Sequence, residues 1–310
     1  MDTSDQRKKS LFALTHNPSL VVGICMRDVM IFLEKNQFQS GEEVAGHIVV
    51  KTDSFFSCNR VILKVKGQEY THYQAGKVHV SETHPLIEDV ITVWEGGEIH
   101  AGDTKFEFRF DLPENLPPNY EGLFGTIDYS IEAVVELDRA LDPKEKVPFE
   151  ILASPPKYIP EPMDRLPIRK VEEHIEAEIP TDIIRPGKGL VIRFLVRERS
   201  RIKGVRLDIV RKEDATCQKR ELDYRRELNQ KRIPITFNDF GRWIDESIHE
   251  DWLAYPPFEG KLIKSSLHLK VVLEVGLSLD PEIWFPLQLS GEGEKDEDLF
   301  EAIEMDLGWD

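Results

Sequence analysis

Six cationic side chains fall close together in the second half of this chain: Arg193, Arg197, Arg199, Arg201, Lys203 and Arg206. The chemistry open to such a group is anion binding. A guanidinium donates paired, charge-assisted hydrogen bonds to a carboxylate or phosphate. Arg193 and Arg197 share one parity in VIRFLVR, while Ile192, Phe194 and Val196 share the other. A strand would therefore bury the apolar set and leave the basic set exposed. Residues 185–232 carry sixteen Lys or Arg against seven Asp or Glu, a net of +9, in a chain of net charge −17. Such a block is either a solvated face or a docking surface for an anionic partner. The acidic remainder and the lack of a recognition-helix motif argue against nucleic acid. An acidic or phosphorylated peptide, or a phosphoinositide head group at a membrane surface, fits better.

Other residue groups offer less. His72, His79 and His84 lie close in sequence near an expected hairpin, where turn histidines facing solvent compete with a metal site. There is no Gly-x-Ser-x-Gly elbow, no phosphate-cradling glycine loop and no His-Glu-x-x-His. Neither an enzyme, nor a metal site, nor a cofactor is expected. Pro155-Pro156-Lys157-Tyr158 has the Pro-Pro-x-Tyr form read by WW domains as a polyproline segment. It stands in ASPPKYIPEPMDRLPIRK, where prolines also have a purely structural reason to be.

The elements that must carry these groups are strands. Residues 118–151 overlay 256–289 without a gap, with identities at Pro118/Pro256, Glu121/Glu259, Gly122/Gly260, Val134/Val272, Glu136/Glu274, Leu141/Leu279, Asp142/Asp280, Pro143/Pro281 and Pro148/Pro286. Between these marks apolar residues alternate: Ile127, Tyr129, Ile131, Ala133, Val135 and Leu137 in one copy, Leu267, Leu269, Val271, Leu273 and Val275 in the other. Period two means a strand with one buried face, so each copy is a long strand, a Pro-marked hairpin and a return strand. VILKVK at 61–66 has its counterpart in VRLDIV at 205–210. The repeat predicts two tandem all-β domains, each a β-sandwich of about seven strands or more. In KFEFRFD, Phe106, Phe108 and Phe110 are expected to be mostly buried on one face.

The expected organisation is a polar extension at 1–27, a first sandwich at 28–152 and a Pro-rich linker at 153–174. A second sandwich at 175–290 and an acidic tail at 291–310 complete it. Residues 212–255 suit a helical turn or a long loop. The tail carries nine carboxylates against one lysine, with Leu299, Phe300, Ile303 and Leu307 spaced along one helical face. It is expected to act as a removable internal ligand or a partner-docking helix. Three scattered cysteines give no disulfide framework, the first residues lack the apolar core of a signal peptide, and no apolar run is long enough to span a membrane. A cytoplasmic protein with peripheral membrane contact is expected.

The phrases around these strands resemble the arrestin family over residues 28–290. The marks are Gly41-Glu42, Gly46, Gly67, Leu112-Pro113, Leu116-Pro117 and Gly125-Thr126-Ile127-Asp128-Tyr129. The second half resembles the arrestin C-terminal domain more loosely, with Pro256-Pro257 in place of a Leu-Pro doublet. Among relatives the similarity is nearest to α-arrestins; a retromer subunit and a bacterial sporulation-control protein share the fold. The resemblance implies two immunoglobulin-like, arrestin-type sandwiches and an adaptor for a cargo or receptor protein in trafficking or signalling. It also implies, for Pro155, Pro156 and Tyr158, a WW-domain ubiquitin ligase as partner. A subunit of a retromer-like complex and a stress regulator of the same fold are the alternatives.

Overall fold

In the computed structural model the described residues are 27–160, 166–197, 202–276 and 280–291. In the first half the alternating segments become β1 (Arg27–Leu33), β2 (Gln37–Phe38), β3 (Glu43–Thr52), β4 (Phe56–Cys58), β5 (Arg60–Ala75), β6 (Val78–Trp94), β7 (Gly97–Ile99), β8 (Gly102–Asp111), β9 (Tyr120–Glu121), β10 (Gly125–Glu136) and β11 (Lys144–Ile151). The second half holds β12 (Ile168–Glu172), β13 (Ile175–Ile179), β14 (Ile183–Ile184), β15 (Leu190–Val196), β16 (Ile202–Cys217), β17 (Arg220–Pro234), β18 (Trp243–Ile248), β19 (Phe258–Glu259), β20 (Ile263–Val275) and β21 (Glu282–Leu289). Among the described residues there is no α-helix, only two single helical turns at Phe237–Asp239 and Trp252–Ala254. No helix there is long and apolar enough to cross a membrane.

Each half pairs a small sheet with a six-stranded one. In the first, β1-β3-β8 faces β2-β11-β10-β5-β6, with β9 on β10. In the second, β12-β13-β15-β18 faces β14-β21-β20-β16-β17, with β19 on β20. Apart from β12 and a two-stranded β4-β7 sheet found only in the first half, the order repeats, down to the one parallel contact, β2 on β11 and β14 on β21. Tyr129 and Leu267, equivalent in the repeat, are both buried, each in the core of its own half. A one-residue slip would have turned either outward, so the register read from the alternation holds. The two cores are built from these inward faces, around Phe38, Tyr129 and Phe149 in one and Phe194, Trp252 and Phe285 in the other.

Two expectations need correcting. The second half's sheet begins at Ile168, inside the stretch assigned to the linker, because Ile168–Glu172 pairs with Ile175–Ile179. Residues 212–255 are mostly strand: β16 and β17 form a long hairpin, and GRWIDESI supplies β18. The hairpin's period was hidden because β17 has only one buried residue, Ile233, to mark an inward face. The three phenylalanines lie mostly buried on one face as expected: Phe108 is in the core, and Phe106 and Phe110 are partly buried and packed against it. The tail residues Leu299, Phe300, Ile303 and Leu307 lie outside the described residues.

The halves meet through their equivalent parts. Tyr120 and Phe258, the same position in the two copies, pack edge-on at 5.0 Å. Ile263 joins the first half's core, and a Cβ on Gly125, its own equivalent, would stand 2.5 Å from Ile263 Cδ1. The Thr71 hydroxyl donates to the Thr216 carbonyl at 2.8 Å, and the Cys217 thiol lies 3.7 Å from the Thr71 carbonyl.

Candidate functional site

The outer face of the β12-β13-β15-β18 sheet holds the first part of the basic group. β13 reads Ile-Glu-Ala-Glu-Ile, so Ile175, Ala177 and Ile179 enter the core while Glu176 and Glu178 point outward. Those two carboxylates are almost fully covered by arginines from the neighbouring strands. Glu176 accepts hydrogen bonds from Arg169 on one side and Arg197 on the other. Arg193 donates to Glu178 at 2.9 Å, and a second nitrogen lies 2.7 Å from the same oxygen. Arg169 and Arg193 both lie over the Trp243 ring, at 5.3 and 4.9 Å. The hydrogen bonds from Arg169 and then Arg197 hold the Glu176 carboxyl below its usual value, against the opposing effect of burial.

The expected single stripe is thus divided and largely neutralised. Arg193 and Arg197 are exposed on their outer edges but committed to carboxylates. Arg206 is on the other sheet: the neighbouring Val205 and Leu207 enter the same core as Ile192 and Phe194, so the two outer faces point in opposite directions. There it bridges the fully buried Asp208, at 2.9 and 3.0 Å, and Glu274, at 3.2 Å. Lys203 is exposed, with no ion pair among the described residues. Arg199 and Arg201 lie outside the described residues. Five more of the block's cations run along β17, a fifteen-residue strand at the sheet's edge. On it Arg225 reaches Asp223, Lys231 reaches Glu246 and Arg232 reaches Glu274.

The Pro-Pro-x-Tyr segment is held against the end of the second half. The Gly291 amide donates to the Lys157 carbonyl at 3.0 Å, and the Ile159 amide to Ser290 Oγ at 2.9 Å. Tyr158 lies under the Arg185 guanidinium yet remains 52% exposed, and Pro155 is exposed beside it. The histidines do not converge. His72 and His79 lie with tilted rings 5.5 Å apart on the β5–β6 hairpin, and Tyr70 Oη lies 3.2 Å from His79 Nε2. His84 stands directly across from Glu69, whose side chain faces inward. Among the described residues no three His, Cys, Asp or Glu side chains are grouped to hold a metal.

Sequence reasoning missed Glu176 and Glu178, although the strict alternation of IEAEI places both on one outward face. It also missed two buried glutamates, Glu69 and Glu213, whose side chains share the buried parity of Val61, Leu63 and Val65 and of Val205, Leu207 and Ile209. Continuing the overlay of 61–66 on 205–210 by three residues aligns them with each other.

Residues 29–154 match the family model described as arrestin (or S-antigen), N-terminal domain. A curated relative is the arrestin domain-containing protein 17 of Caenorhabditis elegans, 27% identical over 114 residues. That match covers 31% of this chain and 27% of the relative, so the chain spans about a quarter of that protein's length. The matched range takes in β1 to β11 and the Leu112-Pro113 and Leu116-Pro117 marks, where both leucines are buried and Tyr129 Oη donates to the Pro117 carbonyl at 2.7 Å. It is this first sandwich that carries the chain's likeness to the arrestin N-terminal domain.

Proposed function

We propose that this chain is a non-catalytic, cytoplasmic adaptor that binds an acidic or phosphorylated segment of a membrane-associated cargo or receptor protein. The observation carrying this reading is an arrestin N-terminal domain joined to a second sandwich that has long basic strands at its surface. A strand at the end of a sheet leaves backbone donors and acceptors free to pair with an extended peptide. β17 offers such an edge with Arg220, Arg225, Arg226, Lys231 and Arg232 along it. Arg197 and Lys203 lie on the same half. Because Arg193 and Arg197 already serve Glu178 and Glu176, a phosphate arriving there must compete with an internal carboxylate, which favours a dianionic ligand over a single carboxylate.

The test is a fluorescence-anisotropy titration of the full chain with one acidic peptide in phosphorylated and unphosphorylated forms. The expected result is tighter binding of the phosphorylated form, lost at least tenfold on reversing Lys203 and Arg226 to Glu. Equal and salt-insensitive binding of both forms, or none, would overturn the reading. A second partner, a WW-domain ligase, is supported by the exposure of Pro155 and Tyr158. It requires a purified WW domain to bind the chain and to lose binding on Tyr158→Ala.

A further inference from the structure

Two carboxylates cross between the halves in a reciprocal pattern. Glu69, on β5, is fully buried and accepts the backbone amides of Lys261, at 2.9 Å, and Leu262, in the turn that leads into β20. Glu213, on β16, is 2% exposed and accepts the amides of Leu123, at 2.8 Å, and Phe124, at 2.9 Å, in the turn that leads into β10. Leu123 and Phe124 are the repeat equivalents of Lys261 and Leu262. Glu69 stands opposite Ile127 in its ladder, and Glu213 stands opposite Ser265, again the same position. Each half therefore offers one glutamate and receives the other's, as across a two-fold dimer interface.

The repeat's most distinctive identity follows from this contact. A Cβ on Gly122 would lie 2.3 Å from Glu213 Oε2, and one on Gly260 would lie 1.9 Å from Glu69 Oε1. Only glycine lets each turn come close enough to present two successive amides to one carboxylate. Each turn is also closed on itself, Gly122 N to Gly125 O at 2.9 Å and Gly260 N to Ile263 O at 2.8 Å, which aims the amides outward. Two buried oxygens with two donors form a directional contact. A glutamine in the same place offers one acceptor and turns an NH2 group toward an N–H.

We propose that Glu69 and Glu213 are paired positioning residues that set the orientation of the two sandwiches. With one removed, the halves pivot about the contact that remains. Apolar packing between Tyr120, Phe258 and Ile263 holds the halves together but is not directional, so the two carboxylates supply the angle.

Two measurements on the full chain test this. Spin labels at Leu141, 95% exposed, and Phe237, 77% exposed, report the separation of the halves in a Cys25→Ser background, with Cys58 and Cys217 left in place because both are buried. Glu69→Gln and Glu213→Gln are each expected to broaden the single distance peak by several ångströms, and the double variant to abolish it. Amide exchange read at single residues gives the independent check, and it applies even to a variant of low stability. Glu69→Gln should lower protection at Lys261 and Leu262 at least tenfold while sparing Leu123 and Phe124, and Glu213→Gln should do the reverse. Gly260→Ala should reproduce Glu69→Gln. An unchanged distance peak in the double variant, or protection lost equally at both turns from either single variant, would overturn the proposal.

Discussion

Phe108→Ala is the sharpest test of how the first sandwich is packed. The ring is 5% exposed and lies across from Gly46 in the β3–β8 ladder. A Cβ on Gly46 would come within 2.7 Å of the ring's Cζ, so the ring occupies the place of a missing side chain. Truncation removes about 150 Å² of apolar surface, which at about 25 cal/mol per Å² amounts to about 4 kcal/mol. Gly46 has no side chain with which to fill the void, so the loss should fall in the upper part of the usual range of about 3–5 kcal/mol. Phe106 and Phe110, partly buried on the same strand, should cost about 1–2 kcal/mol each on the same area argument. Calorimetry on the three variants reads the series, the first half's transition being the one that moves. If Phe108→Ala were no more damaging than Phe106→Ala, the packing over Gly46 would not be what holds β8 to the core.

Tyr129→Phe removes the donor to the Pro117 carbonyl at a buried position. A loss of about 1–3 kcal/mol in chemical denaturation is expected, since the carbonyl is left without that partner. The hairpins after β10 and β20 are closed alike, Asp142 accepting from the Leu137 amide at 2.9 Å and Asp280 from the Val275 amide at 2.8 Å. Alanine at either should cost about 1 kcal/mol and raise amide exchange in that hairpin alone. Glu176, its carboxyl held low by Arg169 and Arg197, contributes stability that is complete above its unfolded value near 4.5 and declines as the pH falls through the folded value. The stability difference between the natural chain and Glu176→Gln, measured by denaturant titration, should therefore be largest near neutral pH and shrink in acid.

The long strands were legible because their inward residues are apolar and their outward ones polar. Ile127 to Val135 and Leu267 to Val275 show that period directly, and the overlay placed both in the correct register. The β16–β17 hairpin was not legible: β17 has one fully buried residue, Ile233, so alternation had nothing to mark. The basic group was visible as composition but not as a surface, because ion pairing depends on which strands become neighbours. Glu176 and Glu178 neutralise Arg193 and Arg197 only because β13 pairs with β15. Arg206 left the group because the chain changes sheets between β15 and β16. Glu69 and Glu213 stood on buried parity in plain view, yet what satisfies them is a turn almost two hundred residues away in one case and about ninety in the other.

Gly125 and Ile263 face each other, and they are one position counted twice. Were the sandwiches separate and identical chains, that position would meet its own copy, and two glycines would leave a gap while two isoleucines would collide. Joined in one chain, each copy can change alone, and a bump has been set into a hollow. Tyr120 against Phe258 is a milder case of the same freedom. The two sandwiches are thereby keyed: the first can no longer stand in for the second, and a pairing of two first halves would be left with a void where the isoleucine belongs.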